Sequence, residues 1–327
     1  MSHPDSPAGA AEPVAITATE APAEVVCVAS WNADLVSHVA RPIARGETLM
    51  ASAFSISPGG KGSNAAVAAA RQGARVALIA RIGDDDFGRM GMTLWHAEGV
   101  ATDHVEHAAG ECSGVAQILV YDDGDNSIAV CPGAGSGLGA SQVQAAHGVL
   151  RSCRVVMASC EVPVEATLQA FRLAREAGAI TLLNPAPARP LPEELLALVD
   201  VLTPNESELY QLAGAEHSGS LDAAANHLLA GGTGAVLVTL GAAGCRLYQG
   251  RQTPIGLAGR SMPVLDTIGA GDTFTGTLAA ALARGEPLAS AMQWANAAAA
   301  LSVTRRGAID GIPARADVAA LMSQVAR

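Results

Sequence analysis

The residues best suited to chemistry lie in Asp266-Thr267-Ile268-Gly269-Ala270-Gly271-Asp272. Gly269, Ala270 and Gly271 let the backbone turn tightly and present its N–H groups. The Ala/Leu-rich run that follows reads as a helix, whose first amides lack intrahelical acceptors and lie at the positive end of its dipole. Such a turn makes a cradle for a phosphoryl group gaining negative charge. Asp272, at the helix start, can accept the proton of an attacking hydroxyl. An ordinary carboxyl, with a pKa of about 4, is a weak base. Phosphoryl transfer through a loose transition state needs little early deprotonation, so a weak, well-placed base suffices. The plainer alternative is that Asp272 only caps the helix and the glycines only turn the chain.

Other polar clusters follow apolar runs. Gly59-Gly60-Lys61-Gly62-Ser63-Asn64 precedes an Ala-rich segment. It is not a Walker loop, because Lys61 is followed by Gly and position 55 is Ser. It reads either as a hinge with Lys61 and Asn64 facing a polyol, or as an ordinary loop and helix start. In Asn32-Ala33-Asp34, Asp34 can accept from two neighbouring hydroxyls or close an Asx turn. Ser159-Cys160-Glu161, Thr203-Pro204-Asn205-Glu206-Ser207-Glu208 and Thr239 to Gly244 also end apolar runs. Ligands bind at such strand ends in open parallel sheets. The Asn205/Glu208 spacing suits Mg²⁺ held through water.

These clusters need elements to position them. Short apolar runs at 25–30, 76–80, 155–159, 180–183, 199–202 and 235–240 read as buried strands. Helical spacing recurs at 63–72, 164–176, 221–229, 272–283 and 288–303. The alternation predicts an α/β fold, a mostly parallel central sheet with helices on both faces. Residues 35–58 and about 107–132 break the rhythm, and Asp122-Asp123-Gly124-Asp125-Asn126 reads as a hairpin turn. They predict a small β-flap within one domain over 25–327.

The 327 residues are 50% hydrophobic with a net charge of −11. That supplies a core and disfavours nucleic acid and anionic lipid as partners. The six cysteines form no C-x-x-C pair, which fits a reducing, cytoplasmic setting. Residues 1–24 read as a disordered tail rather than a signal peptide. No run is long and apolar enough for a membrane span. His104 and His107 lack a ligand cluster, and the glycines of 133–140 lack the strand a dinucleotide fingerprint requires.

N-A-D (Asn32–Asp34), G-G-K-G-S-N (Gly59–Asn64), N-P-A-P-A (Asn184–Ala188), T-P-N-E (Thr203–Glu206), T-L-G (Thr239–Gly241) and D-T-I-G-A-G-D-T-F (Asp266–Phe274) occur in the order seen in the ribokinase, or PfkB, family of carbohydrate kinases. The chain resembles that family over about residues 25–315. N-P-A-P-A with Glu161 and N-A-D is more similar to its ribokinase branch than to its fructokinase or adenosine kinase branches. The resemblance implies transfer of the γ-phosphoryl of MgATP to the 5-hydroxyl of D-ribose, giving ribose 5-phosphate and ADP. A relative acting on another sugar or a nucleoside is the alternative. A sugar or nucleotide sensor would more naturally lack Asp272.

The resemblance also implies residue roles. Asp272 matches the base, and Gly269, Ala270 and Gly271 the anion hole. Asn32, Asp34, Gly60, Lys61, Asn64 and Glu161 match sugar-binding positions. Asn205, Thr239, Gly241, Gly244, Gly271 and Asn296 match nucleotide-binding positions, and Glu208 matches the Mg²⁺-associated acid. Asp266, Ile268, Ser302, Arg305 and Gly307 fall in the K⁺ loop, mostly as carbonyl ligands. The flap becomes a lid that clasps a homodimer. Three positions depart from the pattern: Gly311 for a common Ser at the cation site, Thr275 for a common Asn, and Trp31 for a small aliphatic residue beside Asn32.

Overall fold

A computed structural model describes residues 21–217 and 219–324. Among the described residues, thirteen strands form two sheets. They are β1 (Val25–Val28), β2 (Asn32–Val39), β3 (Ala53–Gly59), β4 (Val76–Gly83), β5 (Ala101–Ala108), β6 (Gly114–Tyr121), β7 (Asn126–Cys131), β8 (Val155–Ser159), β9 (Ile180–Asn184), β10 (Val201–Leu202), β11 (Ala235–Thr239), β12 (Gly244–Gln249) and β13 (Ile255–Ala258). The large sheet has the order β13-β12-β11-β10-β9-β8-β1-β4-β5. It is parallel except at one end, where β12 runs antiparallel to both β11 and β13.

The apolar runs are continuous because both faces of this sheet are covered. Val25 and Cys27 face one core with Leu78, Met157 and Leu278. Val26 and Val28 face the other with Ile79, Val156 and Phe171. The helices Lys61–Arg71, Ala270–Ala283 and Leu288–Ser302 bury Ala-rich surfaces. Successive crossovers move outward from β1 through β4 in one direction and from β8 through β9 in the other. The direction reverses between β1 and β8, the place where such sheets open a crevice at their carboxyl ends.

The small sheet, ordered β3-β2-β6-β7, springs from the end of β1. Its β6–β7 hairpin turns at 122–125, as the sequence pattern predicts. Its second segment is narrower than the expected 107–132. Residues 101–108 pair with β4 as the edge of the large sheet, and only 114–131 supply the flap. Within the expected tail, residues 1–20 lie outside the described residues. Residues 21–24 are described, and Glu24 is built into the fold. Its carbonyl accepts the Arg154 amide at 2.9 Å and its carboxylate pairs with Arg75 at 3.3 Å. Among the described residues, no helix is long and apolar enough to cross a membrane.

Candidate active site

The glycine turn of 266–272 has the geometry its sequence requires. Gly269 is left-handed (φ 75°), and a Cβ there would meet Ala308 at 2.9 Å. The helix Ala270–Ala283 starts at once, placing Asp272 in its first turn, where negative charge is favoured. The Ala270 amide donates to the Thr267 carbonyl (3.3 Å) and that of Thr273 to the Gly269 carbonyl (2.8 Å). Among the described residues no acceptor takes the amides of Gly271 and Asp272. Apart from the helix's own turn, nothing lies within 4 Å of the Cβ that Gly271 lacks. The result is an open pair of donors beside a buried carboxyl.

A second helix brings the facing groups. Gly276 lies one turn after Asp272, and a Cβ there would sit 2.1 Å from the Ala65 carbonyl. This close approach packs Lys61–Arg71 against Ala270–Ala283. Asn64 Nδ2 thereby donates to Asp272 Oδ2 at 2.9 Å. Asn64 Oδ1 is buried with no partner among the described residues, an acceptor awaiting a donor. Gly60 (φ 90°) starts this helix against β1, since a Cβ would meet the Ser30 carbonyl at 2.8 Å. Asp34 folds its carboxyl over Gly59, where a Cβ would fall 2.2 Å from Oδ1. Glu161 Oε2 accepts the Lys61 amide (2.8 Å) and the Ser30 hydroxyl (2.6 Å). Asn32 and Glu161 share a cleft of about 200 Å³ with Val130 of the flap and Pro132 just after it.

One ammonium faces several carboxylates here. Asp272 foremost, then Glu161, Glu208 and Asp34, hold the Lys61 pKa above its ordinary value against the effect of burial. Burial, reinforced by the charges of Glu161 and Asp272, pushes Asp34 up to about 7. Burial likewise raises Glu161 and Glu208. Such a cluster suits a neutral, hydroxyl-rich molecule. A bare polyphosphate entering it would need compensating positive charge.

The residues expected to hold the nucleotide are set largely by backbone. Gly241 is left-handed, with nothing near its missing Cβ. Gly244 lets β12 approach β13, because a Cβ would lie 2.1 Å from the Leu257 carbonyl. Asn296 Nδ2 donates to the Ala258 carbonyl (3.1 Å), and Thr239 bridges to Asn205. Asn205 and Glu208 form a reciprocal cap: the Glu208 amide donates to Asn205 Oδ1 and the Asn205 amide to Glu208 Oε2, both at 2.8 Å. This leaves Glu208 Oε1 for an ion or its water. Asp266 accepts the Ile268 amide (2.9 Å) and the Gly307 amide (2.8 Å), stitching 266–268 to 307. Both oxygens of its carboxylate are thus spent on shaping the loop expected to hold a cation. Gly311 lies against the Ser302 carbonyl, 2.8 Å from where its Cβ would be. The Arg305 side chain points to Asp317 (3.8 Å), so only its backbone can serve the loop.

Three residues have roles the sequence reading left open. Trp31 is buried against Trp95 and donates to the Phe87 carbonyl at 3.1 Å, bracing the root of the flap. The Thr275 hydroxyl joins the Gly271 carbonyl (2.9 Å) and Thr203 (3.2 Å), holding the turn from below. Ser30, read only as the end of a strand, bonds Glu161. Its one sequence signal is a hydroxyl directly after a buried apolar run. His104 and His107 stand on β5, and no group of three metal-ligating side chains occurs among the described residues.

Comparison with known proteins adds independent findings. The sequence profile of the pfkB family carbohydrate kinases matches residues 22–315. The chain is similar to a ribokinase of Haemophilus influenzae, 38% identical over 288 residues, 88% of this chain and 94% of that one. A ribokinase of Bacillus subtilis is 36% identical over 299 residues, 91% and 99% of the two chains. The structure of Arabidopsis thaliana ribokinase complexed with ribose and ATP superposes with a TM-score of 0.85 at 31% identity, covering 92% of this chain and 99% of that one.

Proposed function

The chain belongs to the pfkB family of carbohydrate kinases, and from that premise we propose that it transfers the γ-phosphoryl of ATP to the 5-hydroxyl of D-ribose. The observation that supports this reading is that one helix start carries both the Asp272 carboxyl, held by Asn64 at 2.9 Å, and two amides with no acceptor among the described residues. The acceptor hydroxyl gives its proton to Asp272 as its oxygen bonds to the γ-phosphorus, and the bond from that phosphorus to the β,γ-bridging oxygen breaks to release ADP. The Gly271 and Asp272 amides, at the positive end of the helix, stabilise charge growing on the phosphoryl oxygens. Asp34 accepts from two ribose hydroxyls, Asn64 Oδ1 from another, and Glu161 through its unshared oxygen. Asn32, Gly60 and Lys61 complete the acceptor wall. Closure of the flap excludes water, which otherwise competes as acceptor.

ATP lies along Asn205, Thr239, Gly241, Gly244 and Asn296, with its phosphates reaching Gly271. Mg²⁺, when bound, neutralises phosphate charge, and Glu208 holds it through water; the single ammonium among carboxylates supports that need. Carbonyls of Asp266, Ile268, Ser302, Arg305 and Gly307 would hold K⁺, in a loop that the Asp266 carboxylate already fixes. The apolar outer side of the flap, with Phe54 and Ile56 exposed, supports a homodimer through that sheet. The unpaired cysteines support a cytoplasmic setting.

The test is ADP release over pentoses, hexoses and nucleosides, with and without K⁺. Ribose-dependent release, faster in K⁺ than in Na⁺, is expected. Silence with ribose beside activity with a nucleoside reassigns the acceptor. Equal rates in both salts remove K⁺.

A further inference from the structure

We infer that Ser30 is a positioning residue for the sugar acceptor, fixing which oxygen of Glu161 is free to meet it. The inference rests on the ribose-kinase reading above and deepens it. A serine hydroxyl has one proton to give and lone pairs to accept with. Ser30 gives its proton to Glu161 Oε2 at 2.6 Å and accepts the Gly62 amide at 3.1 Å. The same Oε2 takes the Lys61 amide at 2.8 Å. Two donors thus converge on one oxygen, while among the described residues no hydrogen bond reaches Oε1. The carboxylate is locked, with Oε1 left over for a ligand hydroxyl.

The placement makes this more than a local contact. Ser30 follows β1 and Glu161 follows β8, so their bond spans the crevice where the crossovers reverse direction. The Ser30 backbone engages the glycine loop too: its carbonyl accepts the Ser63 amide at 3.2 Å and lies against Gly60. β2, the first strand of the flap, begins two residues later. One buried hydroxyl therefore ties together the end of β1, the start of the Lys61–Arg71 helix and the loop after β8. Its donation also favours the charged form of Glu161 against burial.

Ser30→Ala removes that donor and leaves the Gly62 amide without its acceptor. A bond to a charged group governs about 10- to 100-fold in affinity. KM for ribose is expected to rise by about that factor, with kcat within about threefold and KM for ATP unchanged. The acidic limb of the kcat/KM profile for ribose should move to higher pH, because Glu161 loses a bond to its ionised form. In a Glu161→Gln background, Ser30→Ala should change KM by less than about threefold. Ser30→Cys, close in size but a weaker donor, carries the same direction of change if the alanine variant does not fold. A fall in kcat at constant KM overturns the inference, as does an unmoved pH limb or an equal loss in the Glu161→Gln background. Absence of ribose-dependent ADP release by the wild type would overturn both readings; an active wild type matched by Ser30→Ala overturns this one alone.

Discussion

The expected acceptor and nucleotide sides of the site are built by different means. On the acceptor side, side chains are buried and bonded to one another: Asn64 to Asp272, Glu161 to Ser30, Asp34 folded over Gly59. On the donor side the framework is main chain, and large apolar side chains stand in the open. Val264 is 63%, Leu265 64% and Ile268 55% exposed. The difference follows from what each half must recognise. A neutral polyol differs from its rivals only in the direction of its hydroxyls, so it must be read by fixed side-chain acceptors. A triphosphate is recognised by charge, which amides, a helix end and an ion supply whatever the side chains.

The largest effect should come where the halves meet. Asp272→Asn keeps the shape and a partner for Asn64 but removes the proton acceptor. We expect kcat to fall roughly 10²–10⁴-fold while ATP binding, followed by titration, stays near normal. If ATP binding is lost too, Asp272 serves both halves and the division fails.

A smaller effect tests the acceptor side alone. Asp34 keeps its proton up to about pH 7 in the fold, against an ordinary value of 3.8. Between those values unfolding releases a proton, so this group's contribution to stability falls as pH rises through about 7 and is level above. The charged carboxylate is the stronger acceptor for hydroxyls. KM for ribose should therefore drop, by up to about 10-fold, as pH rises from 6 to 8. Asp34→Asn should reduce both the change in KM from pH 6 to 8 and the decline in melting temperature between pH 5 and 8, leaving the part that Glu161 contributes. A wild-type KM that does not change with pH would mean that Asp34 does not read the sugar.

Much of this was legible in the sequence, for identifiable reasons. Continuous apolar runs such as Val25–Val28 and Val155–Ser159 could only be strands covered on both faces, and the helix at 164–176 appears with the bounds its spacing predicts. The turn and helix start at Gly269–Asp272 were readable because glycines that free backbone amides leave a compositional mark. Residues 101–108 were harder to read, since an edge strand with one partly exposed face looks like flap or loop. The Asn64–Asp272 contact spans 208 positions and depends on Gly276 admitting Ala65, which no local pattern reports. Ser30 was missed for the same reason: its partner lies 131 residues away.

The mildest test probes the donor side through its scaffold. Asn296 is buried, and its amide holds the Ala258 carbonyl at the end of β13, the edge strand of the large sheet. Asn296→Ala removes one neutral hydrogen bond, worth about 1 kcal/mol, or about fivefold in affinity. If backbone position governs the nucleotide side, KM for ATP should rise by about that factor and KM for ribose should not move. Melting should fall by about 2–4 °C. A matching rise in KM for ribose would show that a shift in β13 propagates through the helix Leu288–Ser302 to the acceptor wall, and the two halves would then be one mechanical unit. An unchanged KM for ATP with lowered melting would confine Asn296 to the scaffold and leave nucleotide recognition to the glycine turns at 241, 244 and 271.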